Sequence, residues 1–274
     1  MQTLRIRKKI FKIKLGRIIV MVWMTGDKMC HLKCAVGDIG RYVLLPGDPF
    51  RTDLIAGYLD DARLIAHNRE LKTWTGTLLG EKVSVTSTGM GCPSTVIAME
   101  ELIECGADTF IRVGTAGPMQ PQKRNAASLG GIITASVRDE GTTRQYVPIE
   151  YPAVADRLVT AALADAAKKL GYVFDEGISV TKDSLYTLLS PENVPLGDVY
   201  SERYGIWKKA NAVVTEMEAS AVFVIASIRA CRAGAICAYS DLADPASAVN
   251  KAIETSCEAL KTLIRQDRHT ESQK

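Results

Sequence analysis

The run VSVTSTGMGCPSTVIAMEELIECGADTFIRVGTAG, residues 83–117, decides the fold class. It opens on a short strand-like segment, residues 83–86, that feeds a turn containing Gly89 and Gly91. Residues 94–105 then carry Val96, Ile97, Ala98, Leu102 and Ile103 at helical spacing, and Gly106 supplies the stop. Residues 109–113 are β-branched and aromatic and end at Gly114, which predicts a second strand. Strand, glycine turn, helix, strand is the unit of an α/β sheet with helices on both faces.

The same alternation extends outward. Further strands are expected at 42–45, 132–135, 177–181, 213–215 and 235–239, and helices at 153–170, 216–230 and 248–263. Residues 191–205 are polar and turn-rich and are expected to form a surface loop or lid. There is no Pro/Ser-rich linker and no internal repeat, so residues 29–266 are read as one domain, with a polar tail at 267–274.

Composition narrows the class. The chain has 274 residues, 47% hydrophobic and 24% charged, which is globular and excludes disorder, collagen and coiled coil. Residues 1–20 hold seven basic side chains and no acid; with those set aside, the net charge of +3 becomes −4. A mildly acidic body argues against nucleic acid as a partner. Residues 1–28 are expected to be a poorly ordered basic and apolar extension, and no run approaches the ~20 apolar residues that span a bilayer. The seven cysteines are odd in number and several lie in apolar runs, which suits buried thiols in a reducing, cytoplasmic setting. Cys30, His31 and Cys34 do not have a standard zinc spacing, and no metal is expected.

In open α/β sheets, ligands bind beyond the C-terminal strand ends. There the sequence places Gly47 with Arg51, Gly89-Met90-Gly91, Arg112 with Thr115 and Gly117, Glu216-Met217-Glu218, and Ser240-Asp241. Glycine lets backbone N–H groups approach a ligand and arginine adds a planar fork, so an oxyanion such as phosphate is the first expectation. Neither GxxxxGK[ST] nor GxGxxG is present. Glu216 and Glu218 can cap the N-terminus of the following helix or accept hydrogen bonds from the vicinal hydroxyls of a ribose. No Ser or Cys nucleophile stands beside His31 or His67 in a recognisable motif, which lowers the case for a hydrolase triad.

Five blocks in order resemble the nucleoside phosphorylase family of uridine phosphorylase-like fold, over about residues 31–265. They are Val43-Leu44-Leu45-Pro46-Gly47-Asp48-Pro49 with Arg51, Asn68-Arg69-Glu70 with Thr73-Trp74, Ser87-Thr88-Gly89-Met90-Gly91, Ile111–Gly117 as numbered 111–117, and Glu216-Met217-Glu218-Ala219. Lys182-Asp183-Ser184-Leu185-Tyr186 adds a uridine phosphorylase-like detail. The resemblance implies a single α/β domain whose central mixed, twisted sheet is partly barrel-like. It implies reversible cleavage of a ribonucleoside by orthophosphate, the co-substrate, with no cofactor. Gly47, Arg51, Arg112 and Thr115 would bind phosphate, completed by Arg69 of a neighbouring subunit. Glu216, Met217 and Glu218 would hold the ribose, with His31 reaching the 5′-hydroxyl from that neighbour. Gly117, Leu185 and Tyr186 would meet the base. A homodimer at least, extending to a hexamer, follows from that sharing.

Three positions depart from the family pattern. Thr187-Leu188-Leu189 follows Tyr186 where uridine phosphorylases place a Gln and soon an Arg. Asp241 resembles the purine nucleoside phosphorylases, where it serves as acid toward the purine ring; its plain alternative is a helix cap or turn residue. Gly130-Gly131 stands where the family has Gly-Asp, with extra residues ahead of it. The resemblance therefore implies uridine phosphorolysis, with a purine or broad-specificity phosphorylase as the alternative. A nucleosidase and a non-catalytic nucleoside-binding protein are further alternatives.

Overall fold

In a computed structural model of the chain, residues 24–273 are described, and they begin with a hairpin of β1 (Met24–Thr25) and β2 (Lys28–Met29). The chain continues through β3 (Tyr42–Leu45), α1 (Pro49–Ala56), β4 (Asp60–Asn68), β5 (Leu71–Leu78), β6 (Glu81–Thr86), α2 (Cys92–Glu104), β7 (Thr109–Pro118) and β8 (Gly130–Asp139). Then come β9 (Ala153–Val154), α3 (Arg157–Leu170), β10 (Asp175–Lys182), α4 (Tyr186–Leu189), α5 (Gly197–Lys209), β11 (Val214–Glu216), α6 (Ala219–Ile228), β12 (Arg232–Tyr239) and α7 (Pro245–Ser272). Residues 1–23 of the expected extension lie outside the described residues.

All four residues of β3 are buried, the mark of a strand covered on both faces. Period-two alternation sorts its side chains. Tyr42 and Leu44 join a core with Ile55 of α1, Leu163 of α3 and Leu260 of α7. Val43 and Leu45 join the opposite core, with Met99 of α2 and Phe223 of α6. Along β7, Phe110 faces the α2/α6 side and Ile111 the other, so Arg112 takes the α2/α6 side with Phe110.

β3 pairs in parallel with β6 and β7, and β7 with β12. β12 runs antiparallel to β8, β8 and β10 are parallel, and β10 is parallel to β11. β11 then returns to pair antiparallel with β7, so β7, β12, β8, β10 and β11 close a five-stranded barrel. Closure brings backbones close at the glycine pair. A Cβ on Gly130 would lie 2.0 Å from the Cys237 carbonyl oxygen, and one on Gly131 would meet Val214 Cγ1 at 2.8 Å. That crowding accounts for Gly130-Gly131.

Several expectations are corrected. β4 and β5 form a hairpin outside the expected strands. The segment carrying Arg51 is the first turn of α1, capped by Asp48, which accepts the Phe50 N–H, with Pro49 opening the helix. The expected loop at 191–205 contains most of α5, whose Tyr204 and Trp207 pack on Met119 and Val180. The helix expected from 153 starts at Arg157, capped by Asp156. The expected helix at 216–230 is the end of β11 followed by α6. The expected tail at 267–274 continues α7 to Ser272, and Asp267 accepts from Arg232 and Tyr42. Cys34, Cys92, Cys105, Cys237 and Cys257 are buried thiols, as expected.

Candidate active site

Arg112 is the centre of the site. Its Nε donates to Glu216 Oε2 at 3.0 Å, and its Nη2 pairs with Glu218 Oε2 at 2.5 Å. The three side chains are almost wholly buried, at 5%, 0% and 6% exposure. Burial disfavours charge on the guanidinium, but Glu218 and Glu216 outweigh it and hold Arg112 above the usual arginine range. Burial raises the Glu218 carboxyl above the ordinary glutamate range; Arg112 opposes this and Glu216 adds to it.

The capping reading of the glutamates falls to Glu216. Glu216 Oε2 accepts the N–H groups of Glu218 and Ala219, each at 2.7 Å, which caps α6. Its Oε1 accepts from Thr181, itself bonded to Ser136. Glu216 is thus fully engaged by the protein and fixes Arg112. Glu218 is less engaged: Oε1 accepts the Gly91 N–H at 2.6 Å and Oε2 meets Arg112. The Gly89–Gly91 turn therefore docks on the Glu218 carboxylate. Cys92 Sγ donates to the Met217 carbonyl at 3.3 Å and fixes the residue between the glutamates.

Arg51 lies against the same strand end, with Nη1 donating to the Val113 carbonyl at 3.1 Å. Burial, then the nearby Arg112 charge, lowers its pKa from the usual arginine range. Among the described residues no carboxylate forms an ion pair with Arg51, whereas Arg112 beside it meets two. Gly47 borders this point, its carbonyl accepting the Gly89 N–H at 3.0 Å, and Thr115 is exposed on β7. Gly114 is required by close approach: a Cβ there would lie 2.7 Å from Arg112 Nη2 and 2.9 Å from Cys237 Sγ. Gly114→Ala is expected to cost about 1–3 kcal/mol of stability from overpacking, and to lower kcat/KM by about 10²-fold through displacement of Arg112. Thermal melts and steady-state kinetics check this.

Gly117 pairs in register with Thr215, whose hydroxyl accepts from Lys182 Nζ at 2.8 Å. Lys182 is buried, and burial lowers its ammonium pKa against the pull of Glu216 and Glu218. It lines a cavity of about 250 Å³ with Asp139, Thr187, Tyr200, Arg203 and Tyr204, between the end of β10 and α4–α5. Leu185 and Tyr186 are exposed beside it, at 40% and 68%. Asp241 follows β12 and pairs with Arg124 at 2.6 Å; the cap of α7 is Asp244, which accepts the Ser247 N–H.

His31 and Arg69 stand apart from this cluster. Among the described residues no hydrogen bond or ion pair joins either to Arg51, Arg112 or Glu218. They neighbour each other instead: Asn68, preceding Arg69 at the β4–β5 turn, donates to the His31 carbonyl at 2.8 Å. The buried Glu101 of α2 accepts the backbone N–H groups of His31 and Leu32 and bonds His31 Nδ1 at 2.6 Å, leaving Nε2 for another partner. Glu101, Lys182 and Arg124 had no role in the sequence reading. Lys182 was visible in its motif, and Arg124 lies in the stretch 122–131 that departs from the pattern.

A closed five-stranded barrel continuous with a mixed sheet, with two arginines and two buried glutamates at the strand ends, defines the α/β class. The family model described as the phosphorylase superfamily matches residues 41–265, and the chain belongs to that family. The chain is 42% identical over 246 residues to a uridine phosphorylase of Treponema pallidum (strain Nichols), covering 86% of this chain and 95% of that protein. It is 47% identical over 214 residues to a uridine phosphorylase of Thermococcus kodakarensis, covering 76% and 75%. A crystal structure of purine nucleoside phosphorylase from Toxoplasma gondii in complex with immucillin-H superposes with TM-score 0.79 at 28% identity, over 89% of this chain and 99% of that one. No described helix is long and apolar enough to cross a membrane.

Proposed function

We propose that the chain is a nucleoside phosphorylase that cleaves uridine with orthophosphate to give uracil and ribose 1-phosphate. The observation that carries this is Arg112, held in place by Glu216 and Glu218, with Arg51, which forms no ion pair among the described residues, alongside. That arrangement supports an anion site at Arg51 beside an acceptor for hydroxyl groups at Glu218. The uridine phosphorylase relatives support the choice of base.

Phosphate occupies the space between Arg51 and Arg112, bordered by Gly47 and Thr115. Glu218 accepts from the ribose hydroxyls, with the Met217 backbone beside it. Breaking the glycosidic bond puts positive charge on the ribose and negative charge on the base. The bound phosphate dianion stabilises the ribose cation and attacks C1′, so positioning and electrostatics supply the acceleration without a covalent enzyme intermediate. Lys182, Asp241, Leu185, Tyr186 and Gly117 surround the departing base. His31 and Arg69 complete the site of an adjoining subunit, with Nε2 of His31 toward the 5′-hydroxyl. Their shared anchoring through Asn68 and Glu101 supports donation as one unit within a dimer, or a hexamer built from dimers.

The reverse reaction tests the assignment. Uracil with ribose 1-phosphate is expected to yield uridine and orthophosphate. No uridine formed in this direction, with uridine alone cleaved by water to uracil and free ribose, would identify a nucleoside hydrolase instead. The purine reading rests on Asp241 and on the Toxoplasma gondii structure, and inosine is the substrate that tests it.

A further inference from the structure

Asp241 faces a partner that lies 117 residues away in sequence, in the stretch that departs from the family pattern. Arg124 Nη1 donates to Asp241 Oδ1 at 2.6 Å. The Arg124 guanidinium also lies over the Tyr239 ring, 4.9 Å from its centre, and Tyr239 is fixed by its hydroxyl donating to Asp175 at 2.8 Å. Arg124 closes a turn just past β7, its N–H donating to the Gln120 carbonyl at 3.0 Å. Asp241 sits just past β12, where the Ser240 N–H donates to the Ala116 carbonyl at 3.0 Å. The pair therefore bridges the ends of β7 and β12 beside Gly117.

Two features point to a ligand. The Arg124 side chain is only 19% exposed, yet among the described residues Asp241 is the one acceptor of its five guanidinium N–H donors. The Asp241 carboxylate is 41% exposed and has its second oxygen unengaged among them. Donors and an acceptor side by side match an N–H flanked by a carbonyl. Uracil carries that edge at N3–H with its two carbonyls, and 6-oxopurines carry it at N1–H with O6. Cytosine and adenine lack the N–H.

We infer that Arg124 and Asp241 together read the base, Arg124 donating to a ring carbonyl and Asp241 accepting the adjacent ring N–H. They take the place of the Gln and Arg that are absent after Tyr186. This rests on the nucleoside phosphorylase reading above and deepens it: the substrate class is a nucleoside of a base bearing that amide-like edge.

The test uses the full chain, with Arg124→Ala, Arg124→Met (which keeps the stem over Tyr239), Asp241→Ala and the double variant. Substrates are uridine, 3-methyluridine, cytidine and inosine at saturating phosphate. Each single variant is expected to lower kcat/KM for uridine roughly 10- to 100-fold, mainly through KM, with the KM for phosphate unchanged within about twofold. The preference of the wild type for uridine over 3-methyluridine is expected to collapse in Asp241→Ala, which loss of packing alone would not cause. The double variant is expected to lose less than the product of the single losses. Uridine turnover within about twofold of wild type in Arg124→Met or Asp241→Ala, or an intact preference over 3-methyluridine, overturns the inference and leaves the phosphorylase reading standing. A wild type that cleaves neither uridine nor inosine overturns both.

Discussion

Arg112→Lys is expected to lower kcat/KM for uridine by about 10²–10³-fold while the protein remains folded. Lysine keeps a positive charge between Glu216 and Glu218 but loses the planar fork that meets one glutamate through Nε and the other through Nη2. Loss of one preorganised donor to developing charge has this size of effect. Arg112→Ala is expected to do more. It leaves two buried carboxylates without their cation, which costs about 3–5 kcal/mol of stability. Thermal melting of both variants separates the two effects. A lysine variant within about threefold of wild-type activity would contradict the placement of phosphate at this arginine.

Glu218→Gln carries the second large effect. The substitution keeps volume but removes the charge that Arg112 and the Gly91 N–H address. It is expected to lower kcat/KM by about 10²-fold and to erase discrimination between uridine and 2′,3′-dideoxyuridine, because the hydroxyl acceptor is gone. Retained discrimination would remove Glu218 from the ribose site. Acidity should mimic the substitution. Burial raises the Glu218 carboxyl, so the protonated form, which cannot accept from the hydroxyls with that oxygen, appears at higher pH than for an ordinary glutamate. The acid limb of the kcat/KM profile is expected to begin above the usual glutamate range, and to be lost in Glu218→Gln.

The parts of the fold legible in the sequence are those where burial leaves an apolar record. β3 and β12 are nearly continuous buried runs, and α2 and α3 end at Gly106 and Gly171, with α3 also opened by an Asp cap. The β4–β5 hairpin left no such record. Its inward residues include Thr73 and Thr75, whose hydroxyls bond Thr86 and Ser84 across the strand pair, and β4 is mostly solvent-facing. α1 has eight residues and announces itself only through Asp48-Pro49. α5 has Gly205 in its interior and a small apolar contact, which hides its period.

At the site, family likeness pointed to Arg112, Glu216 and Glu218, but not to the division of labour between the glutamates. That division depends on which carboxylate oxygen meets the α6 N-terminus, a matter of backbone geometry. The Arg124–Asp241 pair was illegible for another reason. Arg124 alone reads as an ordinary turn charge, Asp241 was read without this partner, and only the parallel pairing of β7 with β12 brings the two together at the strand ends.

The most direct measurement of the central claim is free base released from uridine, with and without orthophosphate, and from inosine under the same conditions. The arrangement of Arg51, Arg112 and Glu218 predicts uracil release that requires orthophosphate, matched by ribose 1-phosphate, and slower release of hypoxanthine. Release of uracil at the same rate without orthophosphate, or no release from either nucleoside, would contradict it.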